Sequence, residues 1–212
     1  MDIEPIAYYR CPLKEKFGCP RQSGLAPVEG RIEFTGQFRD PLAVRGLEGF
    51  SHIWLLWGFS ANREGSSRGL TVRPPRLGGN ERLGVFATRS PYRPNPVGLS
   101  CVELKSVGEG CIEVVGADLM DGTPIYDIKP YIPYTDSHPE ASSGFVGANP
   151  WQELEVVVPE GIVLPEGLAQ VLRQDPRPQY QDDPGRIYGL SWGDSQVHFK
   201  VEGNILTVLG MD

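Results

Sequence analysis

The residues best equipped for chemistry stand close together in GVFATRSPYRPNPVGLSCVEL, positions 84–104. Arg89, Ser90, Tyr92, Arg93 and Asn95 supply cations, hydroxyls and an amide, and prolines at 91, 94 and 96 are interleaved with them. Proline fixes its own φ and pushes the preceding residue toward extended backbone, so this loop is stiff without being helix or strand. A stiff loop carrying guanidinium groups suits a polar, anionic ligand, whereas solvated surface arginines have no need of such stiffness. Pro20, Arg21 and Gln22 repeat the pattern, one rigid residue beside one cation and one amide.

The charge distribution points the same way. Positions 63–93 hold seven arginines against Glu64 and Glu81, a local balance of +5 in a chain of net charge −7, which leaves −12 for the remainder. Such a chain can hold phosphates at one segment while its acidic remainder discourages non-specific contacts, which favours RNA or another polyanion as partner. A hydrophobic content of 40% over 212 residues is enough for a core and argues against disorder. No apolar run reaches membrane-spanning length, and MDIEPIAYYR lacks the basic and apolar regions of a secretion signal. A soluble, cytoplasmic protein without a membrane partner is expected. Cys11, Cys19, Cys101 and Cys111 show no CxxC spacing, and His52, His138 and His198 do not cluster with them. Reduced thiols and no metal site are therefore expected.

The elements that must position these groups are short strands. IEPIAYYR reads as the first, GRIEFTGQF (30–38) as an alternating one, and SHIWLLWGF (51–59) as a buried one. Val97–Leu104 and CIEVVGADLM follow, with Glu109-Gly110 as a hairpin turn between them. Residues 43–50 suit a short helix or turn, and 60–83 form a long Arg/Gly/Ser/Pro connection of the kind that is functional or mobile. DGTPIYDIKPYIPYTDS, 121–137, packs Asp121, Asp127, Lys129, Tyr131, Tyr134 and Asp136 into one Pro-stiffened segment. Strands at these spacings with few helices predict a mainly β fold, an antiparallel β-barrel over residues 1–147. The composition changes near 144–150, and residues 148–212 read as a small α+β domain. It has a strand in WQELEVVVPEGIVLP, a helix in PEGLAQVLRQD (165–175) and a rigid loop in DPRPQYQDDPG. Its last strands join through Glu202-Gly203-Asn204. No GxGxxG opens a helix and no P-loop is present, so any nucleotide-like cofactor is not held by a Rossmann domain.

CPRQSGL, AVRGLEGFSHIWLLWGF, TVRPPRLGGN, GVFATRSPYRPNPVGLS and DGTPIYDIKPYIPY resemble the signature segments of the TsaA-like, or TrmO, family. DPRPQY followed by YGLSW is similar to the extra domain of its bacterial members. The resemblance runs through nearly the whole chain in the same order. It implies a non-Rossmann β-barrel methyltransferase that uses S-adenosylmethionine. Its implied substrate is the threonylcarbamoyl-modified adenosine 3′-adjacent to the anticodon, methylated at N6, and its implied assembly is a homodimer with the cofactor near the subunit interface. The family's cofactor contacts would fall on Pro20, Arg21, Gln22, Arg89, Leu99 and Val115, Gly116, Ala117 and Asp118. A further contact follows the WLLWGF strand, where relatives commonly carry His-Gln and this chain has Ser60-Ala61, so only a backbone contact carries over.

Methyl transfer from a sulfonium mainly requires alignment of donor and acceptor. Adenine N6 must also shed a proton, which calls for a nearby acceptor, and Asp121 and Asp127 are the carboxylate candidates, with Tyr131 to orient the base. Two plainer roles stand beside these: Asp121 sits in a turn-forming DGTP, and Asp127 can pair with Lys129. The anticodon stem-loop is the expected tRNA partner, because its unpaired bases splay out without melting a helix. Tyr92, Tyr131 or Tyr134 can stack on such a base, and Arg73, Arg76 and Arg93 can hold phosphates. Arg177 and Tyr180 would add RNA contacts, and Arg93, Asn95 and Lys129 could read the threonylcarbamoyl carboxylate. The rival reading is a non-catalytic RNA- or ligand-binding barrel.

Overall fold

A computed structural model describes residues 2–62, 69–77, 81–177 and 183–212. Six strands close into an antiparallel barrel: β1 (Ala7–Arg10), β2 (Glu29–Phe34), β3 (His52–Gly58), β6 (Val97–Gly108), β7 (Cys111–Val115) and β8 (Pro124–Pro130). Their order around the barrel is β1-β2-β7-β6-β3-β8. Between β3 and β6, a two-stranded ribbon, β4 (Thr71–Val72) with β5 (Leu83–Gly84), lies within the long basic connection.

Period-2 alternation decides which side chains fill the barrel. Ile53, Leu55 and Trp57 of β3 point inward, opposite Val102, Ser100 and Gly98 of β6. Tyr9, Ile32, Phe34, Ile112, Val114 and Ile125 complete the same core, so the interior is packed and holds no ligand channel. Two glycines make room for its largest rings. A Cβ on Gly98 would stand 2.3 Å from the Trp57 ring, and one on Gly30 would stand 2.1 Å from the Tyr9 hydroxyl.

Two strands are shorter than the sequence patterns predict, with glycine as the reason, whereas β6 runs on past Leu104 to Gly108. β2 stops at Phe34 rather than running to 38, because Gly36 turns at φ +51° and residues 36–39 form a 3-10 turn. β7 stops at Val115, because Gly116 turns at φ +84°. DGTPIYDIKP contributes the regular strand β8, with a bulge where it meets Leu56 and Trp57.

Two single-turn helices, α1 (Pro133–Asp136) and α2 (Phe145–Ala148), lead out of the barrel. A second sheet of order β10-β11-β12-β9 follows, built from β9 (Glu155–Val157), β10 (Tyr188–Trp192), β11 (Ser195–Glu202) and β12 (Ile205–Met211). β9 joins β12 in parallel, and the other pairings are antiparallel. Helix α3 (Leu168–Arg173) buries Leu168, Val171 and Leu172 against this sheet.

The second core is not made by the C-terminal residues alone. Leu13, Ala26 and Val28, from the irregular stretch between β1 and β2, are buried in it. Phe17 stacks on Tyr188 and Phe199, and Gly193 N–H donates to the Pro12 carbonyl at 2.8 Å. The stretch carrying Pro20, Arg21 and Gln22 is thus ordered from both sides, by the barrel and by the C-terminal sheet. Among the described residues no helix is long and apolar enough to cross a membrane.

Gly98→Ala tests the packing argument. The added methyl must displace a buried indole, and overpacking of this kind costs about 1–3 kcal/mol. In a chain of this size that corresponds to a fall in Tm of about 2–12 °C by circular dichroism. An unchanged Tm would mean that the ring has room the packing does not indicate.

Candidate active site

The left-handed turn at Gly116 folds the chain back toward the segment before β2. Gly24 N–H donates to the Gly116 carbonyl at 2.8 Å, and Gly116 N–H donates to the Val28 carbonyl at 3.0 Å. This seats residues 20–24 against 115–118. Ala117 points into the barrel core, so its neighbour Asp118 emerges at the rim.

Asp118 is fixed by a chain of hydrogen bonds that starts inside the barrel. The Trp57 indole N–H donates to Ser100 Oγ at 2.9 Å, and the Ser100 hydroxyl donates to Asp118 Oδ1 at 2.5 Å. Burial pushes the Asp118 carboxyl above its ordinary value. Hydrogen bonds from Ser100, from its own backbone and from the Ser23 backbone, together with the Arg89 charge, pull it back part of the way.

Arg89 links this rim to the Pro20–Gln22 segment. Its Nη1 donates to Gln22 Oε1, and Gln22 Nε2 donates to the Arg21 carbonyl at 2.5 Å. The Pro-rich loop behind Arg89 is braced from within. Arg93 Nη1 donates to the Thr88 and Ser90 carbonyls at 3.1 and 3.3 Å, and Tyr92 N–H donates to Ser90 Oγ at 3.2 Å. Ser60 and Ala61 run alongside it, tied by Phe59 N–H to the Pro96 carbonyl and by Asn62 Nδ2 to the Pro91 carbonyl, both 2.9 Å. Leu99 stands on the outer barrel face, 57% exposed.

The structure therefore gathers Pro20, Arg21, Gln22, Arg89, Val115, Gly116, Ala117 and Asp118 at one rim, with Ser60-Ala61 along the adjoining loop. A guanidinium, an amide, a carboxylate and backbone N–H groups meet there, which is a donor and acceptor set suited to a zwitterionic ligand.

Several predicted residues have partners that restrict their use. The Arg21 guanidinium stacks on the Trp151 ring at 3.6 Å, and its Nη2 donates to the Asp175 carbonyl at 3.1 Å, so it faces the C-terminal region. Arg177 holds Asp175 with Nε and Nη2 at 2.9 and 3.0 Å. Asp121 accepts from Cys11 N–H at 3.2 Å and lies 4.0 Å from Arg10, securing the turn into β8. Asp127 pairs with Lys129 at 3.1 Å. Tyr131 packs against Trp54, with centroids 5.7 Å apart. Asp121 and Asp127 thus sit at separate places along the barrel, with different partners.

Arg73, Asn95 and Tyr134 are exposed. Tyr180 lies outside the described residues, as does the side chain of Arg76. Burial pushes the Cys11 thiol up to about 12 and raises Cys19 as well, so neither is a thiolate nucleophile at neutral pH.

The sequence reading missed Ser100, Trp57, Trp151 and Asp175. Ser100 had a legible signal, since the alternation in Val97–Leu104 puts a serine inward and a leucine outward, the reverse of a barrel strand's usual polarity. Trp151 and Asp175 gave no such signal, because their contact with Arg21 spans more than 120 residues.

Asp118 generates a pH prediction. A carboxyl with a raised native pKa binds its proton more tightly folded than unfolded, so stability falls as pH rises from the ordinary carboxylate range through the native value. Asp118→Asn removes that penalty. It is expected to raise Tm at pH 7 relative to the parent, with the gain vanishing below about pH 4, where both states of the parent are protonated. An equal gain at both pH values in thermal melts would show that burial of charge is not its cause.

Comparison with known proteins fits this geometry. The sequence profile of the tRNA-methyltransferase O N-terminal domain matches residues 8–137, and that of the TrmO C-terminal domain matches 159–212. A tRNA (adenine(37)-N6)-methyltransferase of Escherichia coli K12 is 44% identical, over 94% of this chain and 92% of its own. A Pseudomonas aeruginosa protein whose name describes an S-adenosylmethionine-dependent methyltransferase is also 44% identical, over 93% of this chain and 91% of its own. The crystal structure of TrmO from Pseudomonas aeruginosa superposes with a TM-score of 0.80 and 35% identity, covering 100% of this chain and 98% of the other. With both domain profiles, near full-length identity and one shared fold in agreement, the chain belongs to the TrmO family.

Proposed function

We propose that this chain is an S-adenosylmethionine-dependent tRNA methyltransferase that acts at N6 of the adenine 3′-adjacent to the anticodon, on the threonylcarbamoyl-modified nucleoside. The observation that carries the reading is the rim cluster of Gln22, Arg89 and Asp118 in a chain of this family. S-adenosylmethionine, when bound, supplies an activated methyl group; its ammonium and carboxylate match Asp118 and Arg89 in charge. Gln22 and the Ser23 backbone bound the same place, and the exposed Leu99 offers it an apolar wall.

What remains for the protein is to place the base and take the proton from N6. Asp127 is the better supported acceptor of the two. It lies opposite Leu56, which lies opposite Leu99, so all three occupy one row on the outer barrel face. Asp121 is turned toward backbone instead. Tyr131 and Tyr134 follow β8 on that side, where a splayed base would stack, and Lys129 beside Asp127 can meet the threonylcarbamoyl carboxylate. Arg73 and Arg76, in the basic connection, hold phosphates of the anticodon stem-loop, and Arg93 and Asn95 stiffen and line the loop between. Arg177 is buried against Asp175 and braces the C-terminal domain, taken as residues 148–212, rather than meeting RNA. That leaves Tyr180 as the RNA contact proposed from that domain.

The assembly is a homodimer in the cytoplasm. Leu70 (81% exposed) and Phe86 (77% exposed), whose segments meet through the Val85 N–H to Leu70 carbonyl bond, and the exposed Leu99 are apolar side chains that a second subunit would cover. Sedimentation equilibrium tests the dimer directly.

Two measurements test the activity. Purified protein, labelled cofactor and one tRNA with and without threonylcarbamoylation should give N6-methylation of the modified nucleoside by mass analysis, with the unmodified tRNA slower by orders of magnitude. No transfer to either would leave the non-catalytic reading, and equal rates would remove recognition of the carboxylate. Arg89→Ala should weaken cofactor binding about ten- to a hundredfold in calorimetry, the loss of a charge-assisted hydrogen bond of roughly 1.5–3 kcal/mol. Unchanged affinity in a folded variant would place the cofactor elsewhere.

A further inference from the structure

The contacts of Arg21 form a continuous path from the C-terminal region to the rim. At one end its guanidinium lies on the Trp151 ring at 3.6 Å and donates to the Asp175 carbonyl at 3.1 Å. At the other its own carbonyl accepts from Gln22 Nε2 at 2.5 Å. An amide held by its NH2 end must present its oxygen the opposite way, and there Gln22 Oε1 accepts from Arg89.

The anchor of this path is rigid by construction. Asp175 has φ +48°, the one left-handed non-glycine among the described residues, a conformation that aspartate tolerates better than most. Arg177 clamps its carboxylate with two parallel bonds at 2.9 and 3.0 Å, and both side chains are largely buried, 10% and 16% exposed. Asp175 N–H closes α3 on the Leu172 carbonyl at 3.2 Å. Leu154 N–H to the Arg173 carbonyl and Gln174 Nε2 to Glu153, at 2.9 and 2.8 Å, tie the same turn to the segment between Trp151 and β9. The carbonyl that meets Arg21 is therefore aimed by an arrangement that a simple helix end does not need.

We propose that Trp151 and Asp175 are positioning residues for the cofactor site: they fix Arg21, and through it Gln22 and Arg89, so the C-terminal region sets cofactor affinity. The proposal rests on reading the Gln22–Arg89–Asp118 rim as the cofactor site. A loop ordered in advance loses less freedom on binding, so releasing it weakens cofactor affinity without altering the reacting groups.

The experiment compares Trp151→Phe with Trp151→Leu. Phenylalanine keeps an aromatic face for the guanidinium and leucine keeps only bulk. Trp151→Leu is expected to raise the cofactor Kd, and its KM, about three- to thirtyfold, with kcat at saturating cofactor unchanged. Trp151→Phe should stay within about twofold of the parent. Asp175→Gly, which retains the left-handed backbone but loses the Arg177 clamp, should follow the leucine variant and serves if that one fails to fold. A lowered Tm with unchanged cofactor Kd would reduce Trp151 to a structural role and overturn the proposal. Equal weakening by phenylalanine and leucine would also overturn it. A parent that binds no cofactor is a different failure, since it would remove the site assignment itself.

Discussion

The hydrogen bonds from Trp57 through Ser100 to Asp118 join the barrel interior to the loops that surround the site. The barrel core is filled by aromatic and aliphatic side chains, so no ligand can enter it, and function has to be placed on the rim or the outer face. A rim built only of loops would be soft. Here one inward serine brings the rigidity of the core out to a carboxylate, at the cost of holding that carboxylate in a poorly solvated place. Asp118 takes its position from this connection, and the Ser23 backbone and the Arg89 charge act on its carboxyl from the loops around it.

Arginine serves two different purposes in this molecule. Arg93 and Arg177 spend their donors on the protein itself, one on the carbonyls of its own loop and the other on Asp175. Arg73 and Arg89 are exposed, Arg89 at the rim and Arg73 in the basic connection. The planar fork of arginine suits bracing as well as anion binding, since several fixed donors can lock irregular backbone that has no ladder to satisfy it. A concentration of arginines in an acidic chain is thus partly exposed charge and partly scaffolding. Exposure and partners separate the two uses where charge counting cannot.

Much of this was legible in the sequence, for identifiable reasons. Strand existence followed from alternation in GRIEFTGQF and VGLSCVEL and from the bounded apolar run SHIWLLWGF, and α3 from Leu168, Val171 and Leu172 at helical spacing. Strand ends did not follow, because Gly36 and Gly116 stop β2 and β7 by their positive φ, and alternation continues past both in the sequence. The stiff loop at 88–96 and the Pro20–Gln22 segment stood out by composition. Their meeting through Gln22 and Arg89 did not, since it depends on the closure of the barrel. Least legible was the debt of residues 11–28 to the C-terminal sheet. CPLKEKFGCPRQSGLAP reads as an irregular connection, yet Leu13, Phe17, Ala26 and Val28 pack into a core made mostly of residues beyond 150.

A crystal structure of the chain with S-adenosylhomocysteine, the product that the cofactor would leave, tests the rim assignment most directly. Density is expected at the rim bounded by residues 20–23, Arg89 and 115–118, with the amino acid moiety toward Arg89 and Asp118. Density lying instead in the open groove lined by His52, Trp54, Cys101 and Tyr131 would contradict that assignment, and with it the positioning role of the Trp57–Ser100–Asp118 connection.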